Sequence, residues 1–242
     1  MAVDTKTLLA ISRVSNLPTV WMNVLAAALL TGASGSPGAA LAPGVVLLLM
    51  VALSASYCGG MVLNDFCDRE WDAREQPFRP IPAGRITAAA AIRLAVVLLG
   101  AGVSLLLFTP HPSAVIAGLV LLAVIWAYDR WHKAAAWTVL LMAATRTLVY
   151  VVTAVAIAGT VPGLVWLAGI AQLVWTLLVT VVARHENQRG RRYSWPVIPW
   201  MIAGMALLDG AILALLVSTV WLPVGAAAML LTRFGQRYVR GD

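Results

Sequence analysis

Charge is what this 242-residue sequence has least of: 11% of its residues are Asp, Glu, Lys or Arg, 61% are hydrophobic, and the mean hydropathy is +0.88. Soluble domains carry about 25% charged residues, so the composition excludes a soluble globular fold and specifies an integral membrane protein. Cysteine is scarce as well. Cys58 and Cys67 lie in an apolar run and an acidic stretch, with no second pair and no histidine cluster nearby. That excludes a disulfide framework and gives no zinc site. Acids are outnumbered, ten against 17 Lys and Arg, for a net charge of +7. In a soluble chain such an excess hints at nucleic acid; in a membrane chain it is a matter of topology, and no nucleic-acid partner is expected.

What is present is hydrocarbon in long runs. At about 20 apolar residues per crossing, this length accommodates about seven to nine spans. The runs are Leu17 to Thr31, Gly44 to Leu63, Ala88 to Phe108, Ala114 to Tyr128, Trp137 to Ala158, Leu164 to Ala183, Val197 to Val217 and Val220 to Thr232. Residues 1–242 therefore read as a single all-α domain, a polytopic transmembrane bundle of about eight helices. The connections after the first, third, fifth and seventh runs (Gly32 to Pro43, Thr109 to Ser113, Gly159 to Gly163, Ser218 to Thr219) contain no Lys, Arg, Asp or Glu. The opposite side carries Lys6 and Arg13, the cluster from Arg69 to Arg93, Arg130 and Lys133, the group from Arg184 to Arg192, and Arg233, Arg237 and Arg240. By the positive-inside rule both termini and the loops after helices two, four and six are cytoplasmic in a multi-pass cell-membrane protein. The first run is expected to remain as a helix rather than be cleaved as a signal peptide, because Arg13 to Thr19 is too polar for a bare basic leader.

One long polar segment interrupts this pattern, from Asn64 to Arg85, and it holds Asp65, Asp68, Glu70, Asp72 and Glu75, half of the ten acids. If Val51 to Trp71 is one continuing helix, Asn64, Asp68 and Asp72 fall at i, i+4 and i+8, with Asp65 beside them, so one face carries three carboxylates and an amide. Like charges stacked in this way repel unless a cation intervenes. Mg²⁺ is typically held by one or two carboxylates plus substrate phosphates, so the face reads as a metal–phosphate site completed by its ligand; a solvated helix end is the plain alternative.

Cations stand opposite the acids in sequence. Arg79 and Arg85 flank Pro80-Ile-Pro-Ala-Gly84, whose prolines forbid helix and stiffen the loop for bidentate phosphate contacts. Tyr128-Asp-Arg-Trp-His-Lys133 ends the fourth run, and Arg184-His-Glu-Asn-Gln-Arg189 follows the sixth. Any one of these cations alone would merely obey the positive-inside rule. Arg146 and Asp209 sit inside spans, where a charge costs a few kcal/mol (about 2.5–3.5 on insertion scales) unless it faces a cavity or a partner. Arg146 reads either as a phosphate ligand or as a partner of Asp209 or a snorkelling arginine, and Asp209 reads as structural.

Asn64-Asp-x-x-Asp68-x-x-x-Asp72 followed by Arg79-Pro-Ile-Pro-x-Gly84 resembles the first signature of the UbiA superfamily of intramembrane prenyltransferases, including the branch around chlorophyll synthase. The likeness extends to Arg13 to Asn23, Tyr57 to Met61, Tyr128 to Lys133 and the surroundings of Arg146. Asp72-Ala-Arg-Glu-Gln-Pro77 and Ala183-Arg-His-Glu186 look most like the EboC-like bacterial branch. The resemblance implies a bundle around a central cavity that opens to lipid, with an isoprenyl diphosphate bound through Mg²⁺. It implies Asn64, Asp65, Asp68 and Asp72 as the metal-binding set. Arg79, Tyr128 and Lys133 would contact the diphosphate, and Arg13 and Asn16 would lie near a donor or acceptor head. Asp68, Asp72, Lys133 and Arg146 are the residues expected to carry the chemistry. Tyr57 or Tyr150 would offer an aromatic face to a carbocation, with packing as the alternative role.

The sequence departs from the family pattern in two places. Where a second signature, Asp-x-x-x-Asp, is expected after the sixth helix, the chain reads Arg184-His185-Glu186-Asn187-Gln188, so a second metal is in doubt and Arg184 and Glu186 become candidate substrate-binding residues. The family commonly has nine helices, against eight runs here. Three functions fit. One is an Mg²⁺-dependent prenyltransferase that passes an isoprenyl group from an allylic diphosphate to a small or aromatic acceptor. The others are an intramembrane terpene cyclase or diphosphate lyase, and a non-catalytic isoprenoid-binding membrane protein.

Overall fold

The computed structural model describes residues 3–35, 42–133, 135–188, 193 and 195–239. Of the basic positions expected on one side, Arg189, Arg191, Arg192 and Arg240 lie outside the described residues. Each of the eight apolar runs is a helix, and a short one precedes them. Helix α1 (Thr5–Ile11) starts at Asp4, whose side chain accepts a bond from Thr7 N at 3.1 Å and so caps the first turn. Arg13 follows in the left-handed region (φ 47°, ψ 44°) and turns the chain into α2 (Leu17–Ala33), where Pro18 fits the first turn because its missing N–H has no intrahelical partner there. Then come α3 (Pro43–Glu75), α4 (Ala88–Leu105), α5 (Ala114–Trp131), α6 (Val139–Ala158), α7 (Gly163–Gln188), α8 (Val197–Leu216) and α9 (Trp221–Tyr238).

Seven of these helices are long and apolar enough to cross a membrane, among them α3. With 33 residues it is about 50 Å long, well beyond the ~30 Å of a bilayer core, so its last turns have length to project past the hydrocarbon. Those last turns carry the acids. The eighth long helix, α9, is not one of the seven, and Arg233 and Arg237 sit in its last two turns.

Helix α2 packs against α3, α6, α7, α8 and α9 and is the hub of the bundle. Its spanning window is 72% buried, compared with 22% for α5, which lies at the periphery. Between apolar helices in lipid, close packing holds the contact rather than exclusion of water, and small residues permit it. Gly102 of α4 approaches α3 so closely that a Cβ there would sit 2.8 Å from the Ala52 carbonyl oxygen. Gly210 of α8 and Gly225 of α9 face each other just as tightly, with a Cβ on either meeting the other's Cα within 2.8 Å.

The two ends of the bundle differ as the charge pattern predicts. Gly159, in the left-handed conformation that ends α6, abuts His111, which places two uncharged connections side by side. At the other end Arg13, the last turns of α3, the 76–87 loop, the end of α5 and the end of α9 converge.

Candidate active site

The acids of α3 occupy one buried face, with exposures of 9% for Asn64, 5% for Asp65, 8% for Asp68 and zero for Asp72. Asp65 and Asp72 share one arginine, while Asp68 faces a separate Lys–His pair. Asp65 Oδ1 accepts from Arg13 Nη2 and from Arg79 Nη1, each at 3.1 Å. The same Arg79 nitrogen reaches Asp72 Oδ2 at 3.2 Å, while Arg79 Nε donates to Gln76 Oε1 at 2.9 Å. Asp68 Oδ1 lies 2.7 Å from Lys133 Nζ and 3.2 Å from His132 Nε2. The bond to Asp68 raises the pKa of His132 and favours the charged imidazolium, against its partial burial. Lys133 also rests on the Trp71 ring, 4.1 Å from its centroid, and Tyr128 stacks on His132.

The 76–87 loop holds Arg79 for local reasons. Prolines 80 and 82 prevent helix, Ala83 N bonds the Arg79 carbonyl, and Gly84 takes a positive φ of 70° at the turn. Arg85 does not face the acids. Its guanidinium donates to the Phe78 carbonyl at 2.7 Å and closes the loop on itself.

Beneath the acids lies a mainly apolar cavity of about 230 Å³, lined at its polar end by Arg13, Asn16, Asn64, Tyr128 and Asp129 and deeper by Tyr57 and Arg146 among Val, Leu, Ile and Met side chains. Asn16 joins three elements: Nδ2 donates to Tyr57 Oη at 3.1 Å and Oδ1 accepts from Gln236 of α9 at 2.9 Å. Tyr57 precedes Asn64 by about two helical turns, roughly 10 Å. At that depth Arg146 lies over the Tyr57 ring, 5.7 Å from its centroid, and donates through Nη1 to Thr19 Oγ1 (3.3 Å) and Asn23 Oδ1 (3.1 Å). Asn23 passes the connection on, donating through Nδ2 to Asp209 Oδ2 at 2.7 Å. Arg146 and Asp209 are thus linked through an amide rather than paired directly. Tyr150 Oη and Gln172 Nε2 complete the shell of Asp209.

The structure brings together Arg13, Asn16, Tyr57, Asn64, Asp65, Asp68, Asp72, Arg79, Tyr128, Lys133 and, deeper, Arg146. Neither Arg184 nor Glu186 lines the cavity, although Arg184 lies within electrostatic reach of Tyr128 at its polar end, and Glu186 Oε1 accepts from Tyr193 N at 2.7 Å. Tyr150 is fully buried and hydrogen-bonded, in a packing role rather than facing the cavity. The sequence reading missed Asp129, His132 and Gln236. The first two stand in the quoted Tyr128–Lys133 stretch, and their signal was a carboxylate and an imidazole at a helix end beside a candidate diphosphate contact.

Whether Mg²⁺ suits this site is decided by its oxygens. Among the described residues no group of three or more His, Cys, Asp or Glu converges tightly enough to hold an ion by protein alone. The carboxylates are nevertheless incompletely bonded. Asp72 Oδ1 is buried with no hydrogen-bond partner, and so is Asp129 Oδ2. Oxygen donors, one or two per ion, with the remaining positions left to phosphate and water, are what Mg²⁺ takes, and the residues fit it.

A model of the UbiA prenyltransferase family matches residues 20–239. The digeranylgeranylglyceryl phosphate synthase of Methanospirillum hungatei is 42% identical over 76 residues, 31% of this chain and 26% of that protein. The 4-hydroxybenzoate octaprenyltransferase of Pseudomonas fluorescens (strain Pf0-1) is 30% identical over 162 residues, 66% of this chain and 51% of that protein. The chain spans about half or less of the length of the curated relatives it matches. A solved structure of a digeranylgeranylglyceryl phosphate synthase superposes with a TM-score of 0.60 at 19% identity, covering 96% of this chain and 93% of that one. A UbiA homologue from Archaeoglobus fulgidus bound to DMAPP and Mg²⁺ gives 0.54 at 14% identity, covering 92% and 86%. Such identities speak for the fold alone, but the family model covers nearly the whole bundle, acid face and loop included: the chain belongs to the UbiA prenyltransferase family.

Proposed function

We propose that the protein is an Mg²⁺-dependent intramembrane prenyltransferase that moves an isoprenyl group from an allylic diphosphate to a small or aromatic acceptor and releases diphosphate. The observation that carries this reading is the meeting of three buried carboxylates with Arg13, Arg79 and Lys133 within about two helical turns of Asn64, where Asn64 and Arg13 themselves line the polar end of an apolar cavity. A diphosphate head requires the polar end and an isoprenoid tail requires the cavity. Asn64, Asp68 and Asp72, with Asp65 beside them, would hold Mg²⁺, which when bound neutralises charge on the diphosphate oxygens.

The chain's own groups do the rest. Arg79 and Lys133, already held at the acids, turn toward the diphosphate and take up the charge that grows as the allylic C–O bond breaks and its electron pair leaves with the diphosphate. Tyr128 bounds the diphosphate end of the cavity, and the Tyr57 face lies along the tail side, where it can shield the cationic carbon. The acceptor nucleophile bonds that carbon and gives up a proton. Arg146, about 10 Å deeper, orients the acceptor or donor from the cavity wall. In the cell both termini and the site face the cytoplasm, as the one-sided basic loops favour.

The test uses the purified chain in lipid with a panel of allylic diphosphates and Mg²⁺, and measures pyrophosphate release with and without a membrane extract as acceptor source. Release that needs extract and falls roughly 100-fold or more in Asp68→Ala is the expected result. Release without extract would instead identify a cyclase or lyase, and absence of release under both conditions would overturn an enzymatic role.

A further inference from the structure

The last turn of α7, where the second acidic signature belongs, provides a single acid, and Glu186 is engaged by the backbone of Tyr193. The structure offers another carboxylate from a different direction. Asp129, in the last turn of α5, is 5% exposed and lines the polar end of the cavity beside Asn64 and Tyr128. Asn64 Nδ2 donates to its Oδ1 at 3.1 Å. Asp129 Oδ2 has no hydrogen-bond partner, and no Lys, Arg or His among the described residues makes an ion pair with this carboxylate. A buried carboxylate with one neutral donor is costly to keep charged, and such groups normally pair or coordinate metal.

We propose that Asp129 is a metal-ligating carboxylate of this site, supplied by α5 in place of the acids missing at the end of α7 and positioned by its bond with Asn64. The proposal rests on the metal–diphosphate reading above. It adds that the site is closed by α3 and α5 rather than by α3 and α7. Asn64 and the free oxygen of Asp129 then offer one amide and one carboxylate oxygen, leaving the other positions to diphosphate and water, which suits a hard divalent ion.

The experiment measures binding, not turnover. Mn²⁺ is titrated into the purified chain in nanodiscs with inorganic diphosphate present, and free Mn²⁺ is read by its electron paramagnetic resonance signal. Asp129→Asn keeps an acceptor for Asn64 but removes the charged oxygen, so it separates ligation from positioning. Diphosphate-dependent Mn²⁺ affinity is expected to fall roughly tenfold or more in Asp129→Asn and to stay at the wild-type value in Glu186→Gln. Thermal unfolding without metal is expected to place Asp129→Asn at or above wild type, because an uncompensated buried charge has been removed. Wild-type Mn²⁺ affinity in Asp129→Asn overturns the inference, as does a metal-free melting temperature below wild type, which would make Asp129 a structural residue. Loss in Asp68→Ala with retention in Asp129→Asn sinks this inference alone. No diphosphate-dependent Mn²⁺ uptake by wild type sinks the metal–diphosphate reading with it.

Discussion

Asp72 and Asp209 are both wholly buried, and their surroundings could hardly differ more. Asp209, midway along α8, has both oxygens bonded: Oδ1 to Tyr150 and Gln172, Oδ2 to Asn23. Asp72, in the projecting end of α3, has one oxygen on Arg79 and the other on nothing. A carboxylate that the fold has fully satisfied is part of the scaffold. One that the fold has left half satisfied, beside Arg79 and near Lys133, is held ready for something else. Burial alone does not separate structural from functional acids, whereas completeness of the hydrogen-bond shell does.

The largest effect expected from breaking this contrast is on stability at Asp209. Asp209→Ala strips three donors of their acceptor and leaves buried Arg146 without the countercharge relayed by Asn23. Loss of about 3–5 kcal/mol is expected, read as a collapse in melting temperature and in yield of folded protein in detergent. Asp72→Asn should invert the pattern. The fold is expected to hold to within about 1 kcal/mol, because Arg79 keeps its bond to Asp65, while Mg²⁺-dependent pyrophosphate release falls by roughly 100-fold. A melting temperature that drops as far in Asp72→Asn as in Asp209→Ala would erase the distinction. The smallest effect is expected at Glu186→Gln, whose amide oxygen can still accept from Tyr193 N. Pyrophosphate release there should remain within about twofold of wild type, with stability shifted by less than about 0.5 kcal/mol.

Much of this could be read from the sequence because it is written in local periodicity. The eight helices follow from apolar runs between glycine-, proline- and charge-marked connections, and the acid face follows from spacing along one helix. α9 shows the limit of that approach. Its run and the basic Arg233 and Arg237 beyond it were seen, but the continuation of the helix to Tyr238 and the docking of Gln236 on Asn16 depend on what lies beside it. Asp129 is a sharper case. It was in view next to Tyr128, yet its meaning arises from Asn64, 65 positions away, and only the packing of α5 on α3 joins the two. Arg146 and Asp209 were read as partners or as a ligand and a structural acid. The bridging Asn23 had no signal of its own, because an asparagine in a span announces neither face nor partner.

The bond between Asn16 and Gln236 crosses 220 positions of sequence, and Gly235 packs onto the neighbouring Ser15. A ribosome delivers these two partners at nearly opposite ends of synthesis, so Asn16, which meets Tyr57 as soon as α3 is in place, gains Gln236 only when α9 arrives. Contacts of such range form last, since the loop they close is the longest and its closure costs the most entropy. The walls of the cavity come from helices up to α8 together with Arg13 and Asn16, so α9 acts as a late brace behind one rim residue, Asn16, rather than as a wall of the compartment.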